Sequence, residues 1–253
     1  MKRVKIVVAY DGTNYHGWQV QPNGITIEGM LNKALSDLLE ENIQVIGASR
    51  TDAGVHALCN IAVFDTDNRM PAGKISYALN QRLPEDIRVV SSGQVPEDFH
   101  PRHQESRKTY EYKIWNDEFP NPLNRLYTHF TYASLDLSLM HEAAAYLVGE
   151  HDFKSFCSVN TTVESTVRTI YSLDVVKEDN LITFRVSGNG FLYNMVRIIV
   201  GTLLEVGQKK LEPIKIRAIL EARDRCMAGP TAPAKGLTLV KYEYIQENTT
   251  ENS

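Results

Sequence analysis

Two hydrophobic periods alternate along this chain, and their order restricts the fold more than any other feature. Residues 3–10, RVKIVVAY, are rich in β-branched side chains and read as a strand, as do 43–49, 58–66 and 87–95. After the first run comes a helical pattern of Ile27, Met30, Leu31, Ala34, Leu35, Leu38 and Leu39, with Thr26 placed to cap its N-terminus. A second helix is expected over 72–82. The first half therefore runs strand, helix, strand, strand, helix, strand, the split βαβ order of a ferredoxin-like unit.

From Lys108 that order repeats. TYEYKIW reads as a strand, a helix follows near 135–148, and strands follow at 167–177 and 181–187. A helix from 191 to about 206, a short one at 214–223 and a last strand, LTLVKYEYI, complete the second half. The two halves share element order without residue-level repetition. The expected fold class is α+β: two ferredoxin-like (split βαβ, RRM-like) halves, residues 1–100 and 106–246. Their antiparallel sheets are expected to join around a central cleft wide enough for a large substrate. PEDFHPRHQESR is the expected linker, and 247–253 should fray because they have nothing to bury.

Composition narrows the function classes. With 43% hydrophobic and 23% charged residues the chain can build an ordinary core without metal or disulfide. Cys59, Cys157 and Cys226 are isolated and odd in number, so neither a disulfide framework nor a zinc knuckle is expected, and a reducing, cytoplasmic setting is. No apolar run reaches the roughly 18 residues of a membrane span. The net charge of -4 supplies no global attraction for nucleic acid, so any such partner must meet a locally basic surface.

Three clusters carry candidate chemistry. In Ala48-Ser49-Arg50-Thr51-Asp52-Ala53-Gly54-Val55-His56-Ala57 an apolar strand ends in a run holding Arg50, Asp52 and His56. It reads either as a tight turn or as a catalytic loop. In Phe99-His100-Pro101-Arg102-His103 and Ser106-Arg107-Lys108-Thr109-Tyr110-Glu111-Tyr112, cations interleave with rings, as RNA phosphates and unpaired bases require. A half-exposed strand is the plainer reading. His100 and His103 lack a third partner for metal. In Ser187-Gly188-Asn189-Gly190-Phe191-Leu192-Tyr193-Asn194-Met195-Val196-Arg197 a glycine turn enters an apolar helix. Tyr193 stands where a dinucleotide fingerprint needs glycine, and Arg197 in such a helix calls for a carboxylate partner. No GxSxG elbow or GxxxxGK[ST] loop is present, which disfavours acyl transfer and nucleotide hydrolysis.

Together with Tyr10-Asp11-Gly12-Thr13-Asn14-Tyr15-His16-Gly17-Trp18-Gln19 and Lys235-Gly236-Leu237, the RTDAGVHA and FLYNMVR segments closely resemble the TruA-type tRNA pseudouridine synthases, in the right order over nearly the whole chain. The resemblance implies isomerisation of uridine to pseudouridine in the tRNA anticodon stem-loop, at about positions 38 to 40, by a homodimer using no metal, nucleotide or other cofactor. It makes Asp52 the catalytic carboxylate, attacking the ribose anomeric carbon or assisting glycal formation. Arg197 becomes its ion-pair partner, keeping it deprotonated, and Tyr110 the group that packs on the base and helps to move the C5 proton. Arg50 would help extrude the nucleotide, and Tyr110, His56, Arg102 and Leu237 join it on the substrate-binding surface. Ser49, Cys59-Asn60 and Glu105 depart from the family pattern without removing any of these groups. The competing readings are a divergent paralogue acting on another RNA uridine, a non-catalytic RNA-binding module, and a nucleotide-dependent enzyme using the SGNG turn.

Overall fold

The computed structural model describes residues 1–158 and 163–245, so the expected fraying tail lies outside the described residues. The first strand, β1 (Lys2–Tyr10), alternates strictly and turns Val4, Ile6, Val8 and Tyr10 inward. Helix α1 (Ile27–Leu39) begins where Thr26 Oγ1 accepts from the Gly29 amide at 3.2 Å. Its buried Ile27, Leu31, Leu35 and Leu39 form one stripe against the sheet. Then come β2 (Ile46–Gly47), β3 (His56–Thr66), α2 (Ala72–Leu79) and β4 (Ile87–Val95). Their order across the sheet, β4-β1-β3-β2, is that of a ferredoxin-like unit.

The second half supplies β5 (Ser106–Asn116), β6 (His129–Thr131), α3 (Leu137–Ala145), β7 (Gly149–Asp152), β8 (Val167–Glu178), β9 (Leu181–Gly188), α4 (Met195–Gly207), α5 (Lys215–Ala222) and β10 (Leu237–Tyr244). Its order, β10-β5-β9-β8, repeats the first, with β7 added at the outer edge and β6 beside β5. The expected two-part α+β architecture is present as one ten-stranded sheet. The joint itself is parallel: His56 and Ala57 of β3 pair with Thr238 and Leu239 of β10.

The strand expected over 43–49 shrinks to two residues because side chains take the flanking amides: Ser36 Oγ that of Ile43 at 3.0 Å, Asn32 Oδ1 that of Val45 at 2.8 Å and Asn60 Oδ1 that of Ser49 at 3.2 Å. The edge of β3 away from β1 is shared, with β10 taking its first two residues and β2 taking Ala62 and Val63. Between them the edge is left to the loop 48–55, and the cleft opens there. Helix α4 starts at Met195, later than expected, because Asn194 adopts a left-handed conformation (φ 62°) that ends the preceding turn. Eleven of its thirteen residues are buried, so it is the central helix of the second half.

Candidate active site

The loop after β2 is fastened from three sides. Asn60, fully buried on β3, accepts from the Ser49 amide at 3.2 Å and the Ile61 amide at 3.0 Å. Its amide donates to the Ser49 carbonyl at 3.0 Å and to the Tyr10 hydroxyl at 3.2 Å. Tyr10 in turn shares a 2.8 Å hydrogen bond with Thr51. From the segment after β1, the Trp18 amide donates to the Thr51 carbonyl at 3.0 Å, and Gly17 (φ 84°) lies so near that a Cβ there would sit 2.6 Å from the same oxygen. The Val55 amide closes the turn onto the Asp52 carbonyl at 3.1 Å. The tight turn is present, and it turns the Asp52 side chain towards the cleft.

Arg197 meets Asp52 from the first turn of α4. Its Nε donates to the Ala232 carbonyl and its Nη1 to Asn194 Oδ1, both at 2.7 Å, whereas Nη1 stands 3.5 Å from Asp52 Oδ2. Both side chains of the pair are largely buried, at 17% and 18% exposure. Burial is the stronger influence on the carboxyl. It lifts Asp52 above the ordinary aspartate range, and the Arg197 charge and hydrogen bond offset only part of the rise. The sequence reading takes Arg197 as the cation that favours the charged form, and burial acts against it here.

The cleft encloses about 620 Å³ and is lined by residues of both halves, among them Ser49, Arg50, Asp52, Arg102, Tyr110 and Leu237. Even-numbered residues of β5 face the helices. Ile114 and Tyr112 are fully covered, and Tyr110 and Lys108 line the cleft further along the same face. The Tyr110 ring stands edge-on to Phe191 at 5.3 Å, and burial pushes its phenol far up, so the hydroxyl stays neutral. The buried Ser49 hydroxyl lies beside the Tyr110 phenol and offsets a little of that rise. From sequence Lys108 counts only among the cations of its cluster, Asn194 has no role of its own, and Ser49 counts only as a departure from the family pattern. The spacing of two between Lys108 and Tyr110 was the available signal for the first, and an Asn just before a helix for the second.

His56 lies elsewhere, as a correction to its expected position beside Asp52. It is buried, its Nδ1 accepts from the Gly12 amide at 3.0 Å, and its Nε2 faces the Lys235 carbonyl at 3.2 Å. Asp11 Oδ1 also stands 3.0 Å from Nδ1. His56 lines a separate hollow of about 520 Å³ with Asp11 and Tyr127. His100 and His103 stack on each other at 3.8 Å, and among the described residues no three His, Cys, Asp or Glu side chains group as a metal site.

The family model described as tRNA pseudouridine synthase matches residues 6–104 and 143–245, most of the chain. The chain belongs to the tRNA pseudouridine synthase family. It is 49% identical over 245 residues to "tRNA pseudouridine synthase A" of Ruminiclostridium cellulolyticum, covering 96% of this chain and all of that one. The protein of the same name from Acetivibrio thermocellus is 47% identical over 244 residues, again with 96% and 100% coverage. Among solved structures, "Crystal structure of the archaeal box H/ACA sRNP Nop10-Cbf5 complex" overlays with a TM-score of 0.36 at 11% identity, over 79% of this chain and 44% of that one. That likeness is too slight to carry argument. Within the family match, the Asp52 loop and Arg197 fall inside the matched segments and Tyr110 falls between them. This pseudouridine synthase has no helix, among its described residues, long and apolar enough to cross a membrane.

Proposed function

We propose that the protein isomerises uridine to pseudouridine in the anticodon stem-loop of tRNA, at about positions 38 to 40, with Asp52 as its catalytic carboxylate. The observation that carries this reading is the largely buried Asp52–Arg197 pair in a cleft that Tyr110 also lines. A module that only binds RNA has no use for an acid there, because a carboxylate repels phosphate.

The target nucleotide must leave its stack before its glycosidic bond can be reached. Arg50, exposed at the rim, holds the extruded state, and Arg102 and Leu237 border the chamber. Asp52 in its ionised form attacks the ribose anomeric carbon or assists loss of a ribose proton to give a glycal. Either route frees the base to turn and rejoin through C5. Tyr110 packs its ring on the base and uses its neutral hydroxyl to relay the C5 proton.

The two halves, residues 1–100 and 106–246, act as one unit around the cleft. Two copies of the chain together embrace one tRNA in the cytoplasm, without metal or nucleotide. The test is release of tritium from tRNA transcripts carrying [5-³H]uridine. Wild type releases it and Asp52→Asn does not. Binding without release by wild type would overturn the reading.

A further inference from the structure

Three cations line the cleft, Arg50 in the loop, Arg102 in the linker and Lys108 on β5, and a fourth, Arg168 on β8, acts on Lys108. Arg50 and Arg168 act electrostatically on the set through Arg102 and Lys108 respectively, and among the described residues none of the four forms an ion pair with a carboxylate. Two of the guanidinium groups are already oriented. Arg102 Nε donates to the Gly47 carbonyl at 2.7 Å, and Arg168 Nη1 donates to the Ser165 carbonyl at 3.0 Å.

Lys108 is the least ordinary of the set. Strand register places it between Tyr242 on β10 and Gly188 on β9. Its ammonium lies 5.1 Å from the Tyr242 ring centre, whereas on the other side Gly188 contributes no side chain. A cation–π contact is worth about 0.5–2 kcal/mol, too little to account for a half-buried cation beside other cations. The groups facing it are Tyr110 on its own strand, Arg102 from the linker, Arg168 from β8 and Tyr242 from β10, with no acid among them. One acid, Glu28, acts on Arg102.

We propose that Arg102, Lys108 and Arg168 form a phosphate site that grips one backbone phosphate of the RNA beside the extruded nucleotide. The inference deepens the proposed function and rests on RNA being the ligand. Guanidinium forks fix the direction of the phosphate oxygens, and Lys108 supplies a compact charge directly beneath them. Burial, followed by Arg102 and Arg168, lowers the free amine to about 8, so phosphate binding must be accompanied by proton uptake at Lys108 as the pH approaches that value.

The test is the dissociation constant of an unmodified tRNA transcript, measured by filter binding at pH 7.0 and 8.8 and between 50 and 200 mM salt. For wild type, affinity should weaken about fivefold across that pH interval. Lys108→Met should bind about tenfold more weakly at pH 7.0, with the log–log salt slope reduced by about one and the pH effect gone. Lys108→Arg should hold its affinity at pH 7.0 and lose most of the pH effect, which also separates lost charge from misfolding. Inorganic phosphate up to 10 mM (on the order of ten times a weak site's affinity) should compete with wild type and not with Lys108→Met. Unchanged affinity and salt slope in Lys108→Met, or full pH dependence in Lys108→Arg, would overturn the proposal. Because these are binding measurements, absence of pseudouridine from the wild-type reaction would count against the proposed function alone.

Discussion

Arg197 stands 3.5 Å from Asp52 while making 2.7 Å bonds to Ala232 and Asn194, so the guanidinium is fixed by its own half of the molecule and presented to the acid of the other. The pair is therefore positioned before substrate arrives, yet it is not closed into a short ion pair.

One consequence is acid sensitivity. The proposed reaction needs ionised Asp52, and burial holds its carboxyl above the ~3.9 of an unperturbed aspartate. The rate of pseudouridine formation should fall on the acid side with a midpoint above that value. Arg197→Met removes the opposing charge, so it should move the midpoint further up and lower the rate at pH 7 by at least about tenfold. Rate profiles from pH 5 to 8 check both shifts.

Stability should respond in the opposite sense. A carboxyl whose folded pKa is raised binds protons more tightly folded than unfolded, so ionisation destabilises the fold as pH rises through the interval between the two values. Asp52→Asn should therefore raise the melting temperature at pH 7 by about 2 °C while abolishing activity. The gain should vanish below about pH 4, where the acid is protonated in both states. Thermal melts of both proteins across that range are sufficient.

Much of the fold is legible in the sequence because local signals and tertiary packing agree. Thr26 and the apolar stripe of α1 mark that helix at both levels. The strand expected over 43–49 shortens to Ile46–Gly47 because side chains of α1 and β3 take the Ile43, Val45 and Ser49 amides, a competition that a period of two does not show. Strands β6 and β7, HFT and GEHD, are too short and too polar to show a period of two. Within the site, Asp52, Arg50, Tyr110, Arg102 and Leu237 line one cleft with Arg197 3.5 Å from Asp52, whereas His56 faces another hollow. Adjacency in a turn does not say on which side of the sheet the chain continues. The parting of Asp52 and His56 depends on Gly54 (φ 76°) and on the Gly12 amide that holds the imidazole.

Asn60 makes four buried hydrogen bonds, two that tie Ser49 of the loop to β3, one to the Tyr10 hydroxyl on β1 and one from the Ile61 amide. Asn60→Ala should cost about 2–4 kcal/mol, because it leaves both polar groups of Ser49 and the Tyr10 hydroxyl short of partners. Urea unfolding measures the loss, and activity should drop more than tRNA affinity, since the loop sets Asp52 rather than the RNA-binding rim.

At Gly17 a methyl group meets the Thr51 carbonyl on a backbone of positive φ. Gly17→Ala should destabilise by about 1–3 kcal/mol and slow the reaction at least tenfold by displacing the turn that carries Asp52. Steady-state kinetics should show the loss in kcat with KM little changed.

The central claim is that the cleft around Asp52 makes pseudouridine in tRNA, and mapping the product at nucleotide resolution tests it most directly. Unmodified transcripts incubated with wild type, without metal or nucleotide, should gain pseudouridine at about positions 38 to 40, and those incubated with Asp52→Asn should gain none. Equal modification by the two proteins would contradict the role of Asp52, and no modification by a wild-type protein that binds the transcripts would contradict the claim itself.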